Sequence, residues 1–200
     1  MNKIITIGRE FGSGGREFGR RLAETLNFQY YDKEIITEIA KKTDLSEEYI
    51  SEMLEQSPNS LLPITIGHTI NIADSYQLNQ MRKIHKAQCD LLKTLAEKSN
   101  CVIVGRCADY LLKDYNPFRI FVHADIESRI KRCSQREKED ENLNKKQLKK
   151  KILKIDKNRA KYYSFITGNS WGSKENYDLT INTTDQNIKE IVVAIAKIFE

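Results

Sequence analysis

The chain has 200 residues, 40% hydrophobic and 30% charged, with a formal net charge of +5. That length suits one domain with a central sheet covered on both faces, and no apolar run approaches the roughly 20 residues needed to cross a bilayer. These features argue against a membrane-spanning or membrane-bound protein, and with no signal-peptide pattern before the first apolar run a cytoplasmic location is expected.

Ile4 to Gly8 reads as a buried strand. It breaks into Gly8-Arg9-Glu10-Phe11-Gly12-Ser13-Gly14-Gly15-Arg16, and Phe18, Leu22, Thr25 and Leu26 then recur at helical spacing. Strand, glycine-rich turn and helix in that order form a concave nest of backbone N–H groups suited to phosphate. A tight turn that merely needs positive φ is the plainer alternative. Four glycines in eight residues, between a buried strand and an amphipathic helix, favour phosphate or nucleotide binding. The usual phosphate loop, GxxxxGK[ST], carries a lysine and a magnesium-binding hydroxyl where Gly15 and Arg16 stand here.

Further strands are expected over Phe28–Tyr31, Cys101–Gly105, Phe118–His123 and Tyr177–Asn182, separated by helical patterns. Continuous apolar runs such as Cys101-Val102-Ile103-Val104 fit a parallel sheet buried on both faces, and hence an α/β fold. Residues 33–99 look purely helical, with Leu78, Met81, Ile84, Gln88, Leu91, Leu92 and Leu95 on one stripe, which exceeds one crossover helix and suggests a helical insertion. Pro58 and Pro63 flank a stretch, residues 59–66, without helical period. The polar segment Glu137–Asn144 joins two helices and is expected to form the tip, residues 134–147, of a lid. The last helix should begin near Thr184 or Asp185 and bury Ile188, Ile191, Val192, Ile195 and Ile198.

Phosphoryl transfer needs cations gathered around a polyphosphate. Arg106 follows Gly105 at the end of the third strand, the edge where parallel sheets bind ligands. Arg129, Arg132 and Arg136 lie on the helix after the fourth strand, and Arg159 and Lys161 follow Asp156 on the returning helix. Arg9 and Arg16 are candidates to replace the missing loop lysine. Asp32 ends the second strand and reads either as a magnesium ligand through water or as a helix N-cap. Glu10 is the awkward residue, a carboxylate inside a phosphate loop. Cys89, Cys101, Cys107 and Cys133 show no CxxC spacing, and His68, His85 and His123 stand alone, so reduced structural thiols and no histidine metal site are expected. The lysine-rich run from Lys145 to Lys161 reads as a solvated helix face rather than a nucleic-acid surface. Tyr162, Tyr163, Phe165 and Trp171, with Gly168 and Gly172, are expected to pack a loop.

In Ile4 to Arg16, Phe28-Gln-Tyr-Tyr-Asp32, Val102-Ile-Val-Gly-Arg106 with Ala108-Asp109, Asp156-Lys-Asn-Arg159 and Tyr177 to Thr183, the chain resembles the cytidylate kinase-like family of P-loop proteins almost end to end. The resemblance implies a three-layer α/β/α P-loop fold with a five-stranded parallel sheet, a helical monophosphate-binding insertion over 33–99 and a lid. It also implies ATP and Mg2+ as cofactors, and nucleotide substrates. Gly12, Ser13, Gly14 and Gly15, with Arg9 and Arg16, would hold ATP phosphates. Asp32, Arg106, Asp109 and Lys161 would serve the acceptor, Asp32 would also serve the metal, and Arg129, Arg132 and Arg159, with Arg16, would clamp the transferred group. Cytidylate kinases carry lysine and serine in place of Gly15 and Arg16, and aspartate in place of Cys107. The expected activity is transfer from ATP to a nucleoside monophosphate, CMP or a related pyrimidine nucleotide. The alternative is a nucleotide-binding or sensing protein that kept the cradle without catalysis. Both a monomer and a homodimer remain open.

Overall fold

A computed structural model describes residues 2–55, 72–135 and 143–199. Five strands, β1 (Ile4–Arg9), β2 (Gln29–Tyr31), β3 (Cys101–Val104), β4 (Phe118–His123) and β5 (Leu179–Asn182), form one parallel sheet in the order β2-β3-β1-β4-β5. The register sets Ile5 against Val102 and Phe118, so β1 is the central strand. The described α-helices are α1 (Gly15–Leu26), α2 (Glu34–Thr43), α3 (Glu47–Glu55), α4 (Ile72–Lys98), α5 (Ala108–Leu111), α6 (Ile126–Ser134), α7 (Lys145–Thr167) and α8 (Ile188–Ala196), with short 3-10 turns at Lys113–Tyr115 and Lys174–Asn176.

Side chains alternate across a strand, so each continuous apolar run feeds two cores. Ile5, Ile7, Val102, Val104, Ile120 and Val122 face α1 and α8, where Phe18, Leu22, Ile188 and Val192 are buried. Ile4, Cys101 and Ile103 face the opposite layer, made by Ile35, Ile39, Ile50, Ile84 and Leu92 of α2, α3 and α4. This is the expected three-layer α/β/α arrangement. Gly19 lets α1 lie close on the sheet, since a Cβ there would stand 2.8 Å from the Ile7 Cδ1 and 2.9 Å from the Val104 Cγ2. A third, small core of Ile130, Leu148 and Ile152 joins α6 to α7, and Phe11 of the glycine loop packs into it.

Several boundaries differ from expectation. The last helix starts at Ile188, capped by Asn187, because Thr184 accepts from the Asp125 amide at 2.8 Å and Asp185 is left-handed at φ 53. Ile198 lies beyond the helix and is 54% exposed rather than buried. Tyr162 and Tyr163 belong to α7, which runs on to a left-handed Gly168 cap, so they are core residues of a helix and not loop packing. Within the expected lid tip and insertion, residues 136–142, including Arg136, and 56–71, including Pro58, Pro63 and His68, lie outside the described residues. No helix among the described residues is long and apolar enough to cross a membrane.

Phe18 is fully buried between α1 and the sheet. Phe18→Ala is expected to cost about 3–5 kcal/mol, read as a lowered urea midpoint at unchanged denaturant slope.

Candidate active site

The loop between β1 and α1 turns through two left-handed glycines, Gly12 at φ 79 and Gly14 at φ 84. A Cβ at Gly14 would stand 2.3 Å from the Ile188 side chain, and one at Gly12 would stand 2.8 Å from the Cys133 Sγ. Gly14 is the N-cap of α1 and offers no side-chain cap, so the first-turn amides keep their hydrogen-bonding capacity for a ligand. Gly12, Gly14 and Gly15 line a cavity of about 240 Å³. Ser13 does not line it. Its side chain is fully buried, its hydroxyl donates to the Glu10 carbonyl at 2.9 Å, and its own carbonyl accepts from the Thr183 hydroxyl at 2.6 Å.

Behind the loop lies a polar brace. Glu10 accepts from the Ala124 amide at 3.1 Å and pairs with Arg129 at 3.2 Å, which accounts for a carboxylate in this loop. Arg129 also donates to the Phe11 carbonyl at 2.8 Å and pairs with Asp156 of α7, whose other oxygen accepts from the Phe11 amide at 2.8 Å. Arg132 donates to the Thr183 carbonyl and hydroxyl and reaches the Ser13 carbonyl at 3.5 Å. Arg129 and Arg132, expected on a transferred phosphoryl group, thus stand behind the loop and hold its main chain.

In front of the loop the arginines gather differently. Arg9 and Arg16 both approach Asp32, Arg16 in direct contact and Arg9 at 3.9 Å. Asp32 is 3% exposed and does not cap α2, whose N-cap is Lys33. Arg159 donates to the Arg9 carbonyl at 3.2 Å, stacks over the Phe11 ring at 5.6 Å and stands 3.8 Å from Asp156. Burial and the neighbouring Arg159 guanidinium, opposed by Asp32 and reinforced by Arg106 and Arg16, push Arg9 down to about 9. It stays protonated at neutral pH. Lys151, one of several lysines in a run and not singled out by sequence, turns into the same cavity two helical turns before Arg159.

A second cavity, of about 60 Å³, adjoins the first and shares Arg9 and Arg159 with it. Gly105, Arg106 and Cys107 are three consecutive left-handed residues after β3, at φ 76, 60 and 52. Strain of that kind costs about 1–3 kcal/mol per non-glycine residue and persists only where the surroundings impose it. Gln88, fully buried, holds the Arg106 carbonyl at 2.9 Å. The turn delivers Arg106, Cys107 and Asp109 to the cavity, whose far wall is Tyr162, Tyr163, Trp171 and Tyr177. Asp109 accepts from the Tyr163 hydroxyl at 2.6 Å, and burial lifts its carboxyl above the usual range. Burial likewise pushes the Cys107 thiol up, so that it stays neutral. Lys161 is exposed and lines neither cavity.

The sequence model of the cytidylate kinase-like family matches residues 4–185. The chain belongs to that family. An uncharacterized protein from Eubacterium ventriosum shares 28% identity with it at a TM-score of 0.71, with 98% of each chain covered. Shikimate kinase from Bacteroides thetaiotaomicron superposes at a TM-score of 0.57 and 14% identity over 98% of each chain. Shikimate kinase from Acinetobacter baumannii, in complex with shikimate, does so at 0.52 and 17% over 100% of this chain and 93% of its own. These two show a shared fold alone. No curated protein matches the chain.

Arg129 and Asp156 of the brace are buried, so removing one of them strands the other's charge. Arg129→Met is expected to cost about 3–5 kcal/mol in urea unfolding, and an Arg129→Met/Asp156→Leu pair to recover a large part of it.

Proposed function

We propose that this chain is a nucleotide kinase that moves the terminal phosphoryl group of ATP to a nucleoside monophosphate, CMP or a related pyrimidine nucleotide. The observation that carries the reading is the pair of adjoining cavities with Arg9 and Arg159 in their common wall. ATP phosphates lie over Gly12, Gly14 and Gly15, flanked by Arg16 and Lys151. The acceptor phosphate lies at Arg106. Shared guanidiniums then face the bridging position between donor and acceptor, where charge must be held during in-line transfer. The acceptor phosphate is already anionic at neutral pH, so the step needs no strong general base. Asp109 supplies the cavity with the carboxyl group that Cys107 lacks, and the Tyr163 hydroxyl fixes it in place. Helices α2, α3 and α4 serve the acceptor-binding insertion, and the α6–α7 pair serves as lid.

Magnesium bound to ATP supplies charge neutralisation on the phosphates. The described residues do not fit a protein-held magnesium, because Asp32 faces two guanidiniums and the Ser13 hydroxyl donates to the loop's own carbonyl. Asp32 is accordingly proposed to organise Arg9 and Arg16 rather than to ligate metal. Arg129 and Arg132 are proposed to hold the loop in shape. Lys161 receives no role.

A second reading, nucleotide binding without turnover, is favoured by one feature: the first turn of α1 carries neither lysine nor hydroxyl at Gly15 and Arg16. A coupled assay with ATP and a panel of monophosphates separates the two. Turnover with a pyrimidine monophosphate, abolished by Gly14→Val, is expected. ATP binding with no acceptor turned over would favour the second reading, and no ATP binding would contradict both. Arg106→Met should raise the acceptor KM about 10–100-fold while leaving the ATP KM within about threefold, the size of a charge-assisted hydrogen bond.

A further inference from the structure

We propose that Arg9 is the phosphate cation of this loop, entering from the end of β1 and standing in for the side chain that a phosphate-binding helix ordinarily sends from its first turn. The inference rests on the nucleotide reading above and identifies the group that serves the terminal phosphate.

Three positions are locked together around this side chain. A Cβ at Gly15 would fall 2.4 Å from the Arg9 Cβ and 3.1 Å from its Cγ, so the stem of Arg9 occupies the space a lysine at 15 would need. A Cβ at Gly105 would fall 1.7 Å from the Arg9 Nη1, so the guanidinium occupies the space beside the end of β3 with its Nη1 end nearest. Arg9 therefore crosses from the central strand over the first turn of α1 to the neighbouring strand, which only glycine at both crossings permits. Gly15 is accordingly the seat of another cation and not merely a lost lysine.

The charge around that guanidinium is unbalanced. The guanidiniums of Arg159, Arg106 and Arg16 bear on it most strongly, and Asp32 is the carboxylate that offsets them most. Its side chain is 14% exposed and it reaches Asp32 only at 3.9 Å, a separation too long for a bidentate pair. A planar fork held loosely by its carboxylate, among like charges and in the wall of both cavities, fits a phosphate that spans them. Within a triphosphate, that is the terminal group. A diphosphate ends short of it.

Titration calorimetry of ATP and of ADP into the full chain, its Arg9→Met variant and its Arg9→Lys variant tests this. Arg9→Met is expected to weaken ATP at least tenfold and ADP no more than threefold. Arg9→Lys keeps a charge opposite Asp32 but not the fork, and should narrow the ATP-to-ADP preference at least threefold. Gly15→Ala, which keeps every charge but displaces Arg9, should weaken ATP in the same direction. An unchanged ATP-to-ADP preference in folded Arg9→Met, or in Arg9→Lys should the methionine variant not fold, overturns the inference while wild-type ATP binding leaves the nucleotide reading standing. A wild-type chain that binds neither nucleotide contradicts both.

Discussion

The Arg129 guanidinium ties the molecule's functional end together. It joins Glu10 and the Phe11 carbonyl of the glycine loop to Asp156 of α7, 145 residues after Phe11. Buried charge is tolerable only when paired and fully hydrogen-bonded, and here each partner is also fixed by a main-chain amide, Ala124 for Glu10 and Phe11 for Asp156. The loop cannot shift without stranding a charge. Because Asp156 is fixed, Arg159 one turn later and Lys151 before it are presented to the same cavity.

The front of the loop follows the opposite rule. Behind it, two carboxylates answer Arg129. In front, Arg9, Arg16, Arg106 and Arg159 converge with Asp32 as the carboxylate nearest Arg9. Folding brings these guanidiniums in from the ends of β1 and β3, the start of α1 and the middle of α7. Such convergence is unfavourable in isolation and becomes favourable when a polyanion enters. Electrostatic preorganisation of that kind is what phosphoryl transfer asks of a protein, since most of its catalysis is positioning and charge neutralisation.

Much of the fold was legible because β1, β3 and β4 are near-continuous apolar runs, which leave little choice but a sheet covered on both sides. Strand β4 falls on its expected residues, whereas β5 starts two residues late because Tyr177 packs on Phe121 and Asp178 pairs with Arg119 before the ladder begins. The glycine loop was legible from its composition. The placement of the arginines around it was not. Helical spacing puts Arg129 and Arg132 on one side of α6, yet whether that side meets a ligand or the back of a loop depends on Glu10 and Asp156, which are far apart in sequence. Lys151 was hidden among equivalent lysines until packing of Leu148 and Ile152 fixed the rotation of α7.

The central claim is that loop amides and a guanidinium from β1 jointly hold a triphosphate tail. A crystal structure with a nonhydrolysable ATP analogue tests it most directly. The account predicts the β- and γ-phosphates against the amides of residues 12–16, with the Arg9 fork turned from Asp32 onto the γ-phosphate. Phosphates bound elsewhere, or a γ-phosphate held by Arg129 or Arg132 with Arg9 still on Asp32, would contradict it.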